Sequence, residues 1–328
     1  MKVLVAGAGG FIGGHLVRKL LSDGNQVRAV DIKPMGSWFQ VHSGAENLGL
    51  DLSKLDSCET AVKDVDQVYN LACDMGGMGF ISNHKADCMM SVLINTHLLL
   101  ASKNAGASRF FFASSACVYP DYRQMDSDIP GLKEEDSYPA MPEDGYGWEK
   151  LFSERLCRHY REDFGLETRI ARFHNVYGPE GTFDGGREKA PAAICRKVAN
   201  AVQKNETQIE IWGDGNQTRS FMYIDDCLNG IEKIMHGDFA DPINLGSAES
   251  VTINQLLEIV SSFTSKHFTK RHDLSAPQGV RGRNSDNTLI KEIFGWEPTI
   301  PLEVGLKATY DWIDVQIKSG NTDKYSRF

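Results

Sequence analysis

Short apolar runs and longer amphipathic stretches alternate along the first half of the chain. Residues 2–6, 26–31, 67–72, 109–115 and 168–173 are strand patterns, apolar on both faces. Between them, apolar positions recur at helical spacing over 14–22 and 89–104. Strands buried on both faces and separated by helices predict an α/β fold built on a parallel, doubly wound sheet. After about residue 175 the rhythm gives way to loops rich in Gly, Pro and charge, at 177–191 and 212–220. Residues 241–246 (DPINLG) return to a buried strand pattern, and 301–318 read as a closing helix. The chain therefore divides into two units. One spans 1–175 plus about 222–246, and the other, a smaller and discontinuous α+β unit, spans about 176–221 plus 247–328.

Composition narrows the partners. At 328 residues there is room for a substantial core, and 41% hydrophobic with 24% charged residues is ordinary for a soluble protein. A net charge of -9 argues against nucleic acid or an anionic membrane as the main partner. No apolar run approaches a membrane span, and MKVLVAGAGG goes straight into a strand pattern without a leader. Seven cysteines without a CxxC pair read as reduced thiols, so a cytoplasmic location is expected, with neither a disulfide framework nor a metal site.

The first chemistry lies between the opening strand and helix. VLVAGAGGFIGGHLV sets Gly7, Gly10 and Gly13 in a GxxGxxG turn, with Phe11 and Ile12 at the helix start. Glycines there allow a tight turn, close approach to a pyrophosphate and close helix–strand packing, while free N–H groups meet the phosphates. Asp31 ends the second strand pattern, where a carboxylate accepts the ribose hydroxyls and repels a 2′-phosphate. The cofactor expected is NAD. Asp51, ending the next strand pattern, is placed to meet the adenine.

A redox couple follows. In DGYGWEKLFSERL, Tyr146 and Lys150 stand four residues apart, on one helix face. A tyrosine with a pKa near 10 is a poor base, and a neighbouring ammonium stabilises its phenolate and can hold the nicotinamide ribose. Ser115, at the end of the fourth strand pattern, is placed to hydrogen-bond the oxygen being oxidised or reduced. The glycine turn, Asp31, Ser115, Tyr146 and Lys150 together resemble the extended short-chain dehydrogenase/reductase family, over residues 1 to about 300. Within that resemblance, RFHNVYGP supplies a nucleotide-sugar contact, Asn175.

Two residues carry more than the family pattern. Cys117, in SSACVYP, follows Ser115 by two positions at a strand's carboxyl end, which aims its thiol at the substrate. Lys189, in GGREKAPAA, is open to two readings, phosphate contact and proton transfer. ACDMGGMGFI, SSACVYP, RFHNVYGP, GGREKAPAA, WGDGNQTRSF and GVRGRNSDN narrow the resemblance to members that invert GDP-mannose at C3 and C5. That resemblance implies Cys117 and Lys189 as the acid/base pair. It places substrate on Gly76, Ser115, Ala116, Cys117, Asn175, Lys189 and Lys197, with the nucleotide diphosphate on Gln217, Thr218, Arg219 and Arg281. A late serine contact would fall on Ser326. The implied substrates are GDP-mannose and related GDP-hexoses, the products GDP-L-galactose with GDP-L-gulose, and the assembly a homodimer.

The chemistry is coherent. A C3 or C5 hydrogen is not acidic until C4 becomes a ketone, after which each carbanion is an enolate. One base and one acid on opposite ring faces then invert the centre. Three alternatives remain at this stage: a 4,6-dehydratase, which would need an acid to expel the C6 hydroxyl; a C4 epimerase, which would not need Cys117 or Lys189; and an NAD-binding protein without chemistry.

Overall fold

The computed structural model describes residues 1–325, so Ser326 lies outside the described residues. In chain order the elements are β1 (Lys2–Ala6), α1 (Phe11–Ser22), β2 (Gln26–Asp31), β3 (Glu46–Gly49), α2 (Leu55–Val62), β4 (Gln67–Asn70), α3 (Met78–Ile81), α4 (Lys85–Met90), α5 (Val92–Ala105) and β5 (Arg109–Ser115). Next come α6 (Asp144–Phe164), β6 (Glu167–Phe173), β7 (Val176–Tyr177), α7 (Ala190–Lys204), β8 (Gln208–Trp212), β9 (Thr218–Ser220), β10 (Met222–Tyr223), α8 (Ile224–His236) and β11 (Ile243–Leu245). The chain closes with β12 (Ser250–Thr252), α9 (Ile253–Ser262), β13 (Thr269–Asp273), β14 (Gly282–Arg283), α10 (Thr288–Phe294) and α11 (Leu302–Ser319).

Seven strands form one sheet in the order β11-β6-β5-β4-β1-β2-β3, every neighbouring pair parallel. Alternate residues of β1 serve opposite faces. Val3 and Val5 pack with Leu16, Leu20 and Ile231 of α1 and α8. Leu4 and Ala6 pack with Leu98, Leu99 and Cys157 of α5 and α6. The sheet is thus doubly wound, and its strand order reverses between β1 and β4, where such folds open a crevice at the carboxyl ends of the strands. A further apolar cluster joins Val198 of α7, Ile209 and Ile211 of β8, Leu257 of α9 and Ile313 of α11, beyond the sheet. Among the described residues no helix is long and apolar enough to cross a membrane.

Three boundaries differ from the pattern reading. The helix expected over 89–104 is two helices, α4 and α5, because Ser91 Oγ accepts the Asp74 N–H at 2.9 Å and turns the chain. The strand expected over 67–72 stops at Asn70, whose Oδ1 accepts the Ala72 N–H and whose Nδ2 donates to Asn95. Asp51 stands two residues past β3 rather than at its end.

Candidate active site

The glycine turn leaves no room for side chains. A Cβ on Gly13 would lie 2.1 Å from the Gly7 carbonyl oxygen, and one on Gly7, at φ +83, would meet the backbone of Leu71 and Ala72 at 2.9 Å. The helical ladder of α1 begins with Gly14 N–H on the Gly10 carbonyl, so the N–H groups of Phe11, Ile12 and Gly13 precede any helical acceptor. That is a phosphate cradle. Asp31 Oδ2 accepts the Gly9 N–H and Oδ1 the Lys33 N–H, both at 3.0 Å, while Lys33 Nζ folds back to the Gly9 carbonyl at 2.9 Å. The Asp31 carboxylate is therefore fixed at the end of β2, where the ribose of a dinucleotide held in the turn would fall. Asp51 accepts from the Ser53 hydroxyl and N–H, which hold its carboxyl below the usual range.

Ser115 ends β5, and its Oγ accepts the Cys117 N–H, starting a single turn over Ala116, Cys117 and Val118. Tyr146, in the first turn of α6, packs in a small cluster with Cys117, Phe80, Ile81 and Cys88, within electrostatic reach of Ser115. Burial pushes the phenol well above its ordinary value. Lys150 is buried with its ammonium 4.8 Å from the Phe112 ring centroid, 5.5 Å from that of Tyr146 and 3.5 Å from Glu149 Oε2. Burial works against its charge, but Cys73 and Glu149 more than offset this and hold the ammonium above its ordinary value. Cys73 had no role in the sequence reading, yet it packs against the cluster that holds Tyr146 and acts electrostatically on Lys150. Its place just past β4, in NLAC, is the signal that would have found it.

Cys117 is buried under two further groups that the sequence reading missed. Arg283 Nη1 donates to Cys117 Sγ at 3.4 Å, and its Nη2 donates to Glu143 Oε2 at 2.8 Å. Burial and the Glu143 charge push the thiol up to about 11, against the pull of Arg283. Lys189 precedes α7 and lies within electrostatic reach of Cys117, Arg283 and Cys73, with burial lowering its pKa. Its loop is clasped to the chain after β4. Arg187 donates to Asp74 Oδ1 at 2.8 Å and lies 3.6 Å from the Phe80 ring centroid, and Gly77 N–H donates to the Arg187 carbonyl. Gly76 is part of the same contact, since a Cβ there would meet Phe80 at 2.7 Å and Arg187 at 3.2 Å. Cys117, Lys189, Tyr146 and Gly76 are thus drawn together from four stretches of chain.

The residues that the sequence assigns to the nucleotide diphosphate are more dispersed. Asn175, at φ +44, donates to the Ser220 carbonyl and accepts from Met222 N–H, joining the end of β6 to β9 and β10. β9 and β14 run parallel with Arg219 beside Arg283. Arg219 donates to the carbonyls of Thr218, Gln278 and Val280, and burial with the neighbouring Arg283 draws it down to about 10. Crowded guanidiniums of this kind favour an anion. Gln217 donates to the Trp212 carbonyl while its Oε1 is buried without a partner, and Thr218 donates to the Ser127 carbonyl. Lys197 donates to the Glu210 carbonyl at 2.9 Å, and Arg281 forks onto Asp214 at 2.8 Å through both terminal nitrogens. Arg283, two residues on, is the arginine at the thiol. A cleft of about 420 Å³ reaches from Tyr146 to Arg281, lined also by Met78, Ile81, Gln124 and Glu143.

Residues 3–246 match the NAD dependent epimerase/dehydratase family. The chain belongs to that family. The family is described as NAD dependent and structural neighbours at 26–27% identity hold NAD, so NAD is the cofactor of this chain. The chain is 48% identical over 323 residues to GDP-mannose 3,5-epimerase 1 of Oryza sativa subsp. indica, covering 98% of this chain and 84% of that protein. It is 47% identical to GDP-mannose 3,5-epimerase of Arabidopsis thaliana, covering 97% and 83% respectively. Among solved structures, UDP-glucose 4-epimerase of Thermotoga maritima with UDP-glucose superposes with a TM-score of 0.87 at 25% identity, covering 97% of this chain and 100% of that one. UDP-glucuronic acid 4-epimerase of Bacillus cereus, in complex with UDP-glucuronic acid and NAD, gives 0.80 at 27% identity, covering 96% and 99%. The chain is an epimerase, on its 47–48% identity over nearly its whole length to those GDP-mannose 3,5-epimerases.

Proposed function

We propose that this enzyme inverts GDP-mannose at C3 and C5 by way of a C4 ketone, giving GDP-L-galactose with GDP-L-gulose. The observation that carries the reading is the packing of Cys117 with Tyr146 beyond the end of β5, with Lys189 within electrostatic reach of the thiol. The Gly7–Gly13 turn and Asp31 would hold NAD, which would supply a reversible hydride acceptor for C4. Tyr146 takes the proton of the C4 hydroxyl, with Ser115 hydrogen-bonding the same oxygen and Lys150 favouring the phenolate. The ketone acidifies the hydrogens on both neighbouring carbons. Cys117 and Lys189 are assigned as the pair that exchanges protons with those carbons, so that removal on one face and return on the other inverts each centre.

Gly76, Ser115, Ala116 and Asn175 are assigned to the hexose. The diphosphate is assigned to Lys197, Gln217, Thr218 and Arg219, with Arg281 further out on Asp214 and Arg283 closer to the thiol. This divides the chain into an NAD-holding part, 1–175 with about 222–246, and a sugar-holding part from the remainder. A cytoplasmic homodimer is part of the same reading. Exposed Trp148 and Phe152 on α6 and Met89 and Met90 on α4 give it an apolar face.

Cys117→Ala and Lys189→Ala test the pair. Each is expected to lower formation of inverted products by about 10²- to 10⁴-fold, the range for loss of a positioned acid or base. NAD should remain bound, because neither residue belongs to the cradle. Products are read by NMR of GDP-mannose incubations. Wild-type turnover in both variants would leave C4 inversion as the chemistry, and a 4-keto-6-deoxy product from the unmodified enzyme would make it a dehydratase.

A further inference from the structure

ACDMGGMGFI and GGREKAPAA meet in space, although 113 positions separate Asp74 from Arg187. Arg187 Nη1 donates to Asp74 Oδ1 at 2.8 Å and to the Met75 carbonyl at 3.1 Å. The same guanidinium lies 3.6 Å from the Phe80 ring centroid, and His84 stacks on that ring at 4.4 Å between centroids. The two backbones touch as well. Gly77 N–H donates to the Arg187 carbonyl at 3.0 Å, and a Cβ on Gly77 would lie 2.6 Å from the Glu188 carbonyl oxygen. Asp74 is anchored in turn, its N–H donating to the buried Ser91 Oγ at 2.9 Å. On the other side, Glu188 accepts from Gly186 N–H and from Arg196 of α7, and Lys189 follows as the N-cap of α7.

We infer that Arg187, paired with Asp74, is a positioning residue that fixes the backbone of Lys189 relative to Cys117. This rests on the acid/base pair proposed above. Two lines of contact leave the clasp. Through Phe80 it joins the cluster that holds Cys117 and Tyr146. Through Glu188 it runs on to Lys189, one residue further along the chain. A single side chain therefore ties the wall that carries the thiol to the stretch that carries the amine. Arginine suits that place, because a planar guanidinium can lie on a ring while its N–H groups meet a carboxylate and a carbonyl. An ammonium on a flexible stem is a point charge and cannot do both. The stretch needs such a tie, since Gly185 and Gly186 supply no side chain for packing. Stability is not what the tie provides. The Arg187 and Asp74 side chains are 25% and 44% exposed, and an ion pair so open to solvent contributes little to folding.

Arg187→Met in the NAD-loaded enzyme separates positioning from general damage. Two steps are read with GDP-mannose in deuterated water. Oxidation at C4 is followed by the ultraviolet absorbance that appears on mixing, and deuterium entering C3 and C5 by NMR. Arg187→Met is expected to lower deuterium entry about 10- to 10²-fold, the cost of a small misplacement, with C4 oxidation within about threefold of the unmodified enzyme. Asp74→Asn should do the same, and the two together no more than either, because both remove one contact. Arg187→Lys, which keeps the charge but not the planar fork, should retain part of the exchange. Equal loss of C4 oxidation and of exchange in Arg187→Met overturns the inference. So do unchanged exchange in that variant and additive losses in the double variant. Should Arg187→Met not retain NAD, Asp74→Asn decides by the same two readings. Lys189→Ala tests the pair separately. Normal exchange there strikes the assignment of Lys189 and the positioning with it, whereas normal exchange in Arg187→Met with exchange lost in Lys189→Ala strikes the positioning alone.

Discussion

Tyr146→Phe is expected to lower turnover of GDP-mannose by about 10²- to 10⁴-fold, with NAD still bound and the fold unchanged. The substitution removes one oxygen and nothing else. The ring keeps its packing against Cys117, Phe80 and Ile81, while the proton path from the C4 hydroxyl is lost. No other hydroxyl can replace it. Ser115 accepts from Cys117 N–H, and Lys150 is held as an ammonium beside Cys73 and Glu149. Because C4 oxidation precedes every later step, inversion at C3 and C5 should fall together by the same factor. Steady-state kinetics with both products resolved checks this, and loss of one product alone would mean that Tyr146 acts on something other than C4.

Arg172→Met is expected to destabilise the protein by about 3–5 kcal/mol, the range for removing one partner of a buried ion pair. Arg172 and Glu154 are each about 3% exposed. Arg172 donates through Nε to Glu154 Oε1 at 2.9 Å and through Nη2 to Oε2 at 2.8 Å. Glu154 Oε1 also accepts from Ser114, and Arg172 Nη1 donates to the Glu134 carbonyl at 2.7 Å. The pair therefore joins β5, β6, α6 and the chain before α6, directly beneath Ser115. Methionine fills the volume but leaves the Glu154 carboxylate buried without its partner. Glu154→Gln on top of Arg172→Met should recover part of the loss, since the uncompensated charge is then gone. Urea unfolding of both variants gives the answer, and a single-variant loss under about 1 kcal/mol would contradict the role given to this pair.

That second expectation shows why RFHNVYGP is only half legible as a substrate motif. Arg172 serves the ion pair, and His174 is buried on Asn244, with burial lowering its pKa to about 3. Asn175 turns toward β9 and β10, and Val176 and Tyr177 pair with β10. The strands of the large sheet were readable because burial on both faces writes a continuous apolar run, and the glycine turn because its contacts lie within a few residues of each other. The division of 89–104 into α4 and α5 was not, since it depends on Asp74 reaching Ser91. Cys117 and Lys189 could be placed as a pair only through a family resemblance, because 72 positions lie between them and no local spacing joins them. Glu143 and Arg283 were invisible for the same reason. Their bond spans 140 residues, and in sequence one is a loop acid in MPEDG and the other a second arginine in GVRGRN, where Arg281 drew the assignment instead.

The central claim is that one enzyme opens both carbons beside C4 to proton exchange and closes them again. Incubation of the unmodified enzyme with GDP-mannose in deuterated water, followed by NMR of the recovered sugar nucleotides, measures this directly. Deuterium at C3 and C5 of the GDP-L-galactose formed, with C4 keeping its own hydrogen, is the result predicted. Inverted product with protium at both C3 and C5, or solvent deuterium at C4, would contradict it.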